Sequence, residues 1–139
     1  MNRRFAISLI YIAITFALGC AVQGRPFEKA TSPPNNATIY VYRPYRFESS
    51  LLKPPVTCGD QSASIGPGGY HAYVVPAGQT VQCSVQTETI DQVEIHAEPR
   101  VYYFNEDFGW GRLLGHPHLN PIDADEAQTE IQKCCVLEN

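Results

Sequence analysis

The sequence predicts an all-β fold: a single antiparallel β-sandwich of about seven short strands, with one short C-terminal helix. Stretches rich in β-branched and aromatic residues recur at intervals of about 8–12 residues, as the strands of a sandwich do. Most of these stretches are bounded by members of the chain's 10 glycines and 11 prolines, which favour turns. The long Ala, Leu, Glu and Lys stretches of helical proteins are missing.

The predicted strands are separated by turn residues. The first strand ends at Pro44, because proline has no N–H for a sheet hydrogen bond. Gly59 and Asp60 form a turn, and Gly78 can adopt the positive φ that a later turn requires. We expect strands at residues 37–43, 55–60, 61–65, 70–75, 80–86, 90–97 and 101–104, and a weak, proline-interrupted strand at residues 113–122.

Residues 123–134 are the only segment with a helical pattern. Asp123 can accept a hydrogen bond from the first turn, and Glu126 stands at the position of the acidic partner in a capping box. We expect this helix to pack on the edge of the sandwich.

The first residues have the pattern of a secretion signal. Arg3 and Arg4 precede an uncharged apolar run over residues 5–18. As a helix this run would extend about 21 Å, at about 1.5 Å per residue. A bilayer core is roughly 30 Å thick, so the run is too short for a comfortable span. We therefore expect residues 1–19 to be a signal peptide.

A cysteine follows this run within the tetrapeptide Ala17-Leu18-Gly19-Cys20. The tetrapeptide resembles the lipobox of bacterial lipoproteins, which implies that Cys20 carries a diacylglycerol thioether and an amide-linked acyl chain such as palmitate. Ala17 replaces the usual leucine, so ordinary cleavage after Gly19, giving a secreted or periplasmic protein, stays open. Ala21 after the cysteine resembles the enterobacterial sorting signal for the outer membrane, and this resemblance implies an outer-membrane location with the domain facing the periplasm.

Composition limits the classes of partner. The chain has 10 Lys and Arg against 14 Asp and Glu, a net charge of −4 at pH 7. An acidic balance argues against nucleic acid, whose binding needs clustered basic groups. Residues 20–36 are polar and rich in proline, so we expect a lipidated, flexible tether there and one domain over residues 37–139.

Besides Cys20, the chain has four cysteines, which in an exported protein indicate disulfides. Three connectivities are possible among Cys58, Cys83, Cys134 and Cys135. We favour a bridge between Cys58 and Cys83. We regard a bridge between Cys134 and Cys135 as the least favourable, because adjacent residues make a strained disulfide.

Several segments together carry a family resemblance. In chain order they are residues 37–44 (Ala-Thr-Ile-Tyr-Val-Tyr-Arg-Pro), 68–70 (Gly-Gly-Tyr), 75–80 (Val-Pro-Ala-Gly-Gln-Thr) and 97–103 (Ala-Glu-Pro-Arg-Val-Tyr-Tyr). With a helix closing on Cys134, the chain resembles domain of unknown function 2846, a family of small bacterial proteins that are often lipoproteins. It also resembles transthyretin-like or PEGA-like β-sandwich modules. The resemblance implies architecture and location, but no catalytic residue or cofactor.

Two features suggest a site. Phe108 and Trp110 lie in a glycine-flanked segment, where two large aromatic rings have no evident packing role, so they are candidates for contact with a partner. His116 and His118, with Asp107 nearby, could face the same way on an extended segment and bind a metal ion. Exposed loop histidines are far commoner, so we predict neither a metal nor a cofactor.

These observations predict a function class but no reaction. No nucleophile motif such as Gly-x-Ser-x-Gly is present. Glu106 and Asp107 are neighbours on a predicted strand, so their carboxylates face opposite ways and do not form an acid–base pair. We expect a lipid-anchored, non-catalytic binding or structural module of the cell envelope that contacts another envelope protein or peptidoglycan. The alternative is an envelope metal-binding protein or enzyme that uses the His116/His118 loop.

Overall fold

The computed structural model describes residues 24–29 and 31–137, with Glu48 described by its backbone alone. The predicted signal peptide and Cys20 lie outside these residues. The structure confirms the predicted all-β sandwich with one short C-terminal helix. The strands are β1 (Arg25–Pro26), β2 (Asn36–Arg43), β3 (Pro55–Cys58), β4 (Gln61–Ser64), β5 (Gly69–Pro76), β6 (Thr80–Gln86), β7 (Ile90–His96), β8 (Val101–Gly109), β9 (His116–Pro121) and β10 (Val136–Leu137). The α-helix is α1 (Ala124–Cys134), and Phe47–Ser49 form a single 3-10 turn.

Two sheets face each other. The six-stranded sheet has the order β1-β10-β5-β2-β8-β9, and the four-stranded sheet has the order β4-β3-β6-β7. Within the larger sheet, β2 pairs parallel to β8 and β10 pairs parallel to β5, which differs from the wholly antiparallel sandwich that the sequence predicts. Parallel neighbours require long connections, and here the chain crosses to the four-stranded sheet between β2 and β8.

The main core lies between the two sheets. Its side chains come from the inward faces of the strands, where burial alternates with exposure in β6. The residues of this core include Ile39, Val41, Val56, Ile65, Tyr73, Val75, Val81, Val85, Phe104 and Leu119. Tyr73 donates a 2.8 Å hydrogen bond to the carbonyl oxygen of Val56, which satisfies its buried hydroxyl.

A second core lies on the outer face of the six-stranded sheet, under α1. Ala127 and Ile131 of α1 are fully buried there against a layer of tyrosines. The rings of Tyr40 and Tyr103 stack at 5.4 Å, and Tyr42 donates its hydroxyl hydrogen to Glu130. Because both faces of β2 are covered, this strand is buried along almost its whole length.

The helix begins where the sequence predicts, but it packs on the outer face of the larger sheet and not on the edge of the sandwich. Asp123 caps it by accepting a 3.0 Å hydrogen bond from the N–H of Asp125. Ala127 and Ile131 are four positions apart, so they lie on one face and give the helix a single buried stripe.

The segment predicted as a tether contains structure. Arg25 and Pro26 form β1, which pairs antiparallel with β10. Phe27 is buried and packs edge-on against Tyr40 and Tyr70, with ring centroids 5.5 Å apart in both pairs. Residues 20–36 are polar overall, so their composition does not predict the burial of Phe27. Because Phe27 packs into the domain, the domain begins before the predicted boundary at Ala37.

Two disulfides join cysteines of the described residues. Cys58 in β3 is joined to Cys83 in β6, its direct partner in the ladder, and both are buried in the main core. Cys134 is joined to Cys135, so the expectation that this pairing is the least favourable is wrong. The two residues lie at the end of α1, where Cys134 is helical and Cys135 is extended, with φ of −136° and ψ of 147°. The backbone thus leaves the helical conformation between the two cysteines whose sulfur atoms are bonded.

Among residues 24–29 and 31–137, no helix has the length and apolar character needed to cross a membrane.

Candidate functional site

Loop 44–54, which joins β2 to β3, is held from beneath by Arg43. This side chain is 1% exposed, and its guanidinium donates hydrogen bonds to backbone carbonyl oxygens of the loop. The distance from Nη1 is 2.6 Å to Leu52 O and 3.1 Å to Ile65 O, and Nη2 donates to Ser49 O. A planar guanidinium with several donors can bind several carbonyls at once. The loop is therefore fixed at two of its own residues.

Loop 110–115, which joins β8 to β9, is held by Glu88 from the turn between β6 and β7. The Glu88 carboxylate accepts hydrogen bonds from the backbone N–H groups of Arg112, at 2.8 Å, Leu113 and Leu114. These bonds, from Leu114 first and then from Arg112 and Leu113, lower the pKa of Glu88 below its usual value. Glu88 is therefore ionised at neutral pH and acts as a clamp on the loop.

Glycine is required in the same loop for a close approach. A Cβ atom at Gly111 would lie 2.8 Å from the Cα of Gly115 and 2.9 Å from Oε2 of Glu88. Gly115 itself has φ of +46°, in the left-handed region that glycine adopts readily. The backbone at Gly111 is thus packed closely against Gly115, at the other end of the loop, and against the Glu88 carboxylate.

The two loops together present an exposed apolar surface. Leu51 and Leu113 are each 92% exposed, Trp110 is 94% exposed and Phe47 is 81% exposed. All four line one groove of about 680 Å³ between the loops. We call these four side chains the apolar patch. Large apolar side chains gathered on one surface mark an interaction site more often than scattered ones do.

The structure places Phe108 and Trp110 in different environments. Phe108 lies under the Arg43 guanidinium, whose Cζ is 4.4 Å from the ring centroid, and it is partly buried in the wall of the groove. Trp110 projects into solvent. Of the two predicted contact residues, Trp110 is therefore available to a partner, and Phe108 packs against Arg43, which holds loop 44–54.

The histidines of β9 contact other groups. His116 Nε2 is 3.7 Å from Oε2 of Glu88, next to the loop clamp. Asp107 lies opposite His118 in the ladder between β8 and β9, but its Oδ1 accepts a hydrogen bond from the Phe108 N–H at 2.8 Å and is 3.5 Å from Nε of Arg46. Across the described part of the chain, no three His, Cys, Asp or Glu side chains form a group that could hold a metal ion.

Glu106 and Asp107 follow the predicted alternation along β8. Glu106 is 1% exposed on the core side, and its charge contributes to the raised pKa of Tyr73, after the larger effect of burial on that phenol. Asp107 is partly exposed, where it meets Arg46. The two carboxylates are not brought together.

Sequence reasoning identified Trp110 but missed the rest of the patch. Leu51 and Leu113 each belong to a Leu-Leu pair within a loop that has no strand or helix period. Apolar residues in such loops could have indicated an exposed apolar surface, because a loop has no regular face through which to bury them. Arg43 and Glu88 gave no signal, because their roles depend on contacts between segments distant in sequence.

A comparison with models of known protein families finds no match to the chain, and a comparison with curated protein sequences finds none either. The resemblance to domain of unknown function 2846 therefore stays a prediction.

Proposed function

We propose that this protein is a lipid-anchored, non-catalytic binding module of the bacterial cell envelope, and that the apolar patch is its binding surface. The anchor is the proposed lipid on Cys20. The location that Ala21 favours is the outer membrane, with the domain facing the periplasm. The partner is another component of the envelope, for which an envelope protein and peptidoglycan are the candidates from sequence.

The observation that carries this proposal is the exposure of four large apolar side chains on two loops that the fold holds in place. Leaving Leu51, Trp110 and Leu113 almost fully in water forgoes the favourable free energy of burying them. The buried Arg43 and the Glu88 clamp fix the loops that present these side chains. A pre-ordered surface loses less conformational entropy when it binds.

The anchor is tested with Cys20→Ala. We expect the unmodified protein to leave the membrane fraction, since a diacylglycerol group and a further acyl chain hold a protein stably where a single chain does not. The measurement is membrane partitioning, together with the mass of the mature N-terminus. Unchanged partitioning and mass in Cys20→Ala would contradict the lipid anchor.

The binding surface is tested by site-specific photocrosslinking in intact cells. A photoreactive residue at position 113 should form an adduct with an envelope component. The matched control is position 74, because Val74 is an exposed apolar residue in β5 outside the patch, 41% accessible. Equal labelling at the two positions, or none at position 113, would contradict the patch as the binding surface.

A further inference from the structure

Strand β1, near the start of the described chain, runs in the same direction as β2 and ends at the same end of the larger sheet as the two loops. The register places four residues of neighbouring strands in one row across this sheet: Pro26, Val136, Gly69 and Arg43. Loop 44–54 leaves the sheet directly after this row. Because β8 runs parallel to β2, it ends at the same edge, and loop 110–115 leaves from there.

The short connection between Cys20 and β1 limits how far this end of the domain can lie from the proposed anchor. Only Ala21, Val22 and Gln23 separate Cys20 from Gly24. A fully extended chain advances at most about 3.6 Å per residue, so Cys20 and Gly24 are at most about 14 Å apart. Gly24 is two residues before Pro26 of the end row, which is about 7 Å at about 3.3 Å per residue. This is less than the longest distance to Cys20, so the sheet end that carries the patch lies within reach of the lipid headgroups.

The patch has the chemistry of a surface that enters the boundary between headgroups and acyl chains. Tryptophan favours this boundary, because its indole has an apolar body and a polar N–H. Leucine and phenylalanine side chains gain free energy when they leave water for the acyl region. Leu51, Trp110 and Leu113 are the most exposed large apolar side chains among the described residues, so they would meet a bilayer first.

Several backbone groups of the two loops already have hydrogen-bond partners within the protein. An unpaired N–H or carbonyl group is costly to transfer out of water. The N–H groups of Arg112, Leu113 and Leu114 already donate to Glu88, and the carbonyl oxygens of Ser49 and Leu52 already accept from Arg43. These five backbone groups therefore keep a hydrogen-bond partner when the segments that carry the patch are covered by lipid.

We propose that the apolar patch docks into the headgroup boundary of the same bilayer that holds the lipid on Cys20, as a second membrane contact that fixes the orientation of the domain. This proposal rests on the anchor of the proposed function and names the bilayer as the partner of the patch. The acidic chain, with its net charge of −4, offers no polybasic attraction. We therefore expect docking to depend on apolar burial and to change little with ionic strength.

The chain contains its own probe, because Trp110 is its only tryptophan. The lipid-modified protein is reconstituted in vesicles of phosphatidylethanolamine and phosphatidylglycerol, with ordinary or brominated acyl chains. We expect the Trp110 emission to shift to shorter wavelength, to be quenched by the brominated chains, and to become several-fold less accessible to iodide than in Cys20→Ala protein in buffer.

Two variants make this result specific. In the double variant Leu51→Ser, Leu113→Ser, both changes are at exposed positions that do not support the core, and we expect brominated lipid to quench Trp110 several-fold less. In V74W combined with W110F, the probe moves to β5, outside the patch. We expect iodide to quench that probe equally in vesicles and in buffer, because Val74 lies towards the opposite end of the sheet, opposite Thr38.

Failure of this proposal is distinguishable from failure of the proposed function. Trp110 that stays fully accessible to iodide on vesicles overturns bilayer docking. If position 113 still crosslinks to an envelope protein in cells, the binding module survives with a protein partner. Shielding of Trp110 that grows with protein density and is insensitive to brominated chains also overturns docking, because a second copy of the chain then covers the patch.

Discussion

Two surfaces of this molecule are rich in large apolar side chains, and they differ in what covers them. The outer face of the six-stranded sheet carries Tyr40, Tyr42 and Tyr103, and α1 covers it. The apolar patch, by contrast, is almost fully exposed. Both surfaces carry large aromatic side chains, so the presence of such residues alone does not separate them. The difference lies in the neighbouring element, since an amphipathic helix follows β9 and no comparable described segment packs on the loops.

The two surfaces also differ in how their polar groups are satisfied. Under α1, tyrosine hydroxyls bond to helix side chains: Tyr42 donates to Glu130, and Tyr103 accepts from Gln128 at 3.0 Å. Burial is the largest cause of the raised pKa values of both phenols. At the patch, the side chains of Arg43 and Glu88 form hydrogen bonds with the loop backbones instead, and the apolar side chains face outward. One arrangement stabilises the fold, and the other presents a surface.

The largest expected contrast is in stability. Ile131→Ala should lower the free energy of unfolding by about 2–5 kcal/mol, because it leaves a cavity under α1. Leu113→Ala, a matched truncation in the patch, should change it by no more than about 0.5 kcal/mol. Urea denaturation followed by circular dichroism measures both. A loss of stability in Leu113→Ala comparable to that in Ile131→Ala would show that the patch is structural and would remove the contrast.

The next effect concerns the support of the patch. Arg43→Met removes the guanidinium that binds the Ser49, Leu52 and Ile65 carbonyls, and we expect a cost of about 2–3 kcal/mol, since hydrogen bonds to charged groups are strong. Arg46→Met, which removes an exposed ion pair with Asp107, should cost no more than about 1 kcal/mol. Hydrogen exchange should show loop 44–54 opening in Arg43→Met alone. Unchanged protection of that loop would contradict the support role.

A smaller and more local effect is expected at Gly111. In Gly111→Ala the added methyl group collides with Gly115 and with the Glu88 carboxylate, so loop 110–115 must shift, at a cost of about 1 kcal/mol. Arg112→Ala, at the next position, removes a side chain but keeps the loop path. We expect the emission of Trp110 to change in Gly111→Ala and to stay as in the native protein in Arg112→Ala. The same emission in all three proteins would contradict close packing of the loop.

The covered surface was the more predictable of the two. The spacing of Ala127 and Ile131 and the cap at Asp123 are local signals, so the helix could be placed from sequence. Strand β8 runs to Gly109, further than the predicted end at Phe104, because pairing with β2 and β9 extends it through polar residues whose propensity is low. The position of β1 depends on the burial of Phe27, a contact between distant segments.

The patch was predictable only in part. Trp110 was identified because glycines flank it, but its neighbours Leu51 and Phe47 come from a loop about 60 residues earlier, which is brought beside it by the parallel pairing of β2 and β8. A single sequence does not reveal that pairing. Arg43 is the last residue of a predicted strand, and its burial follows from carbonyl groups that converge only in the folded chain.

The smallest expected effect is a pH dependence of the patch. The pKa of Glu88 is lowered in the folded protein by the backbone N–H groups of Leu114, Arg112 and Leu113. A lowered folded-state pKa contributes stability that is complete above the ordinary glutamate value of about 4.3 and is lost as pH falls through the folded-state value. We therefore expect loop 110–115 to loosen only in acid below that ordinary value. The change should appear in the Trp110 emission, while the circular dichroism of the strands persists.

The control is chosen to separate the clamp from general acid effects. Glu88→Gln keeps a hydrogen-bond acceptor but cannot titrate, so the acid transition of Trp110 should disappear, and some loosening should already be present at neutral pH. Glu94→Gln, an exposed carboxyl on β7, should leave the transition unchanged. If the transition persists in Glu88→Gln, another group holds the loop. The patch would then be ordered by contacts other than the clamp, and its contrast with the helix-covered face would rest on exposure alone.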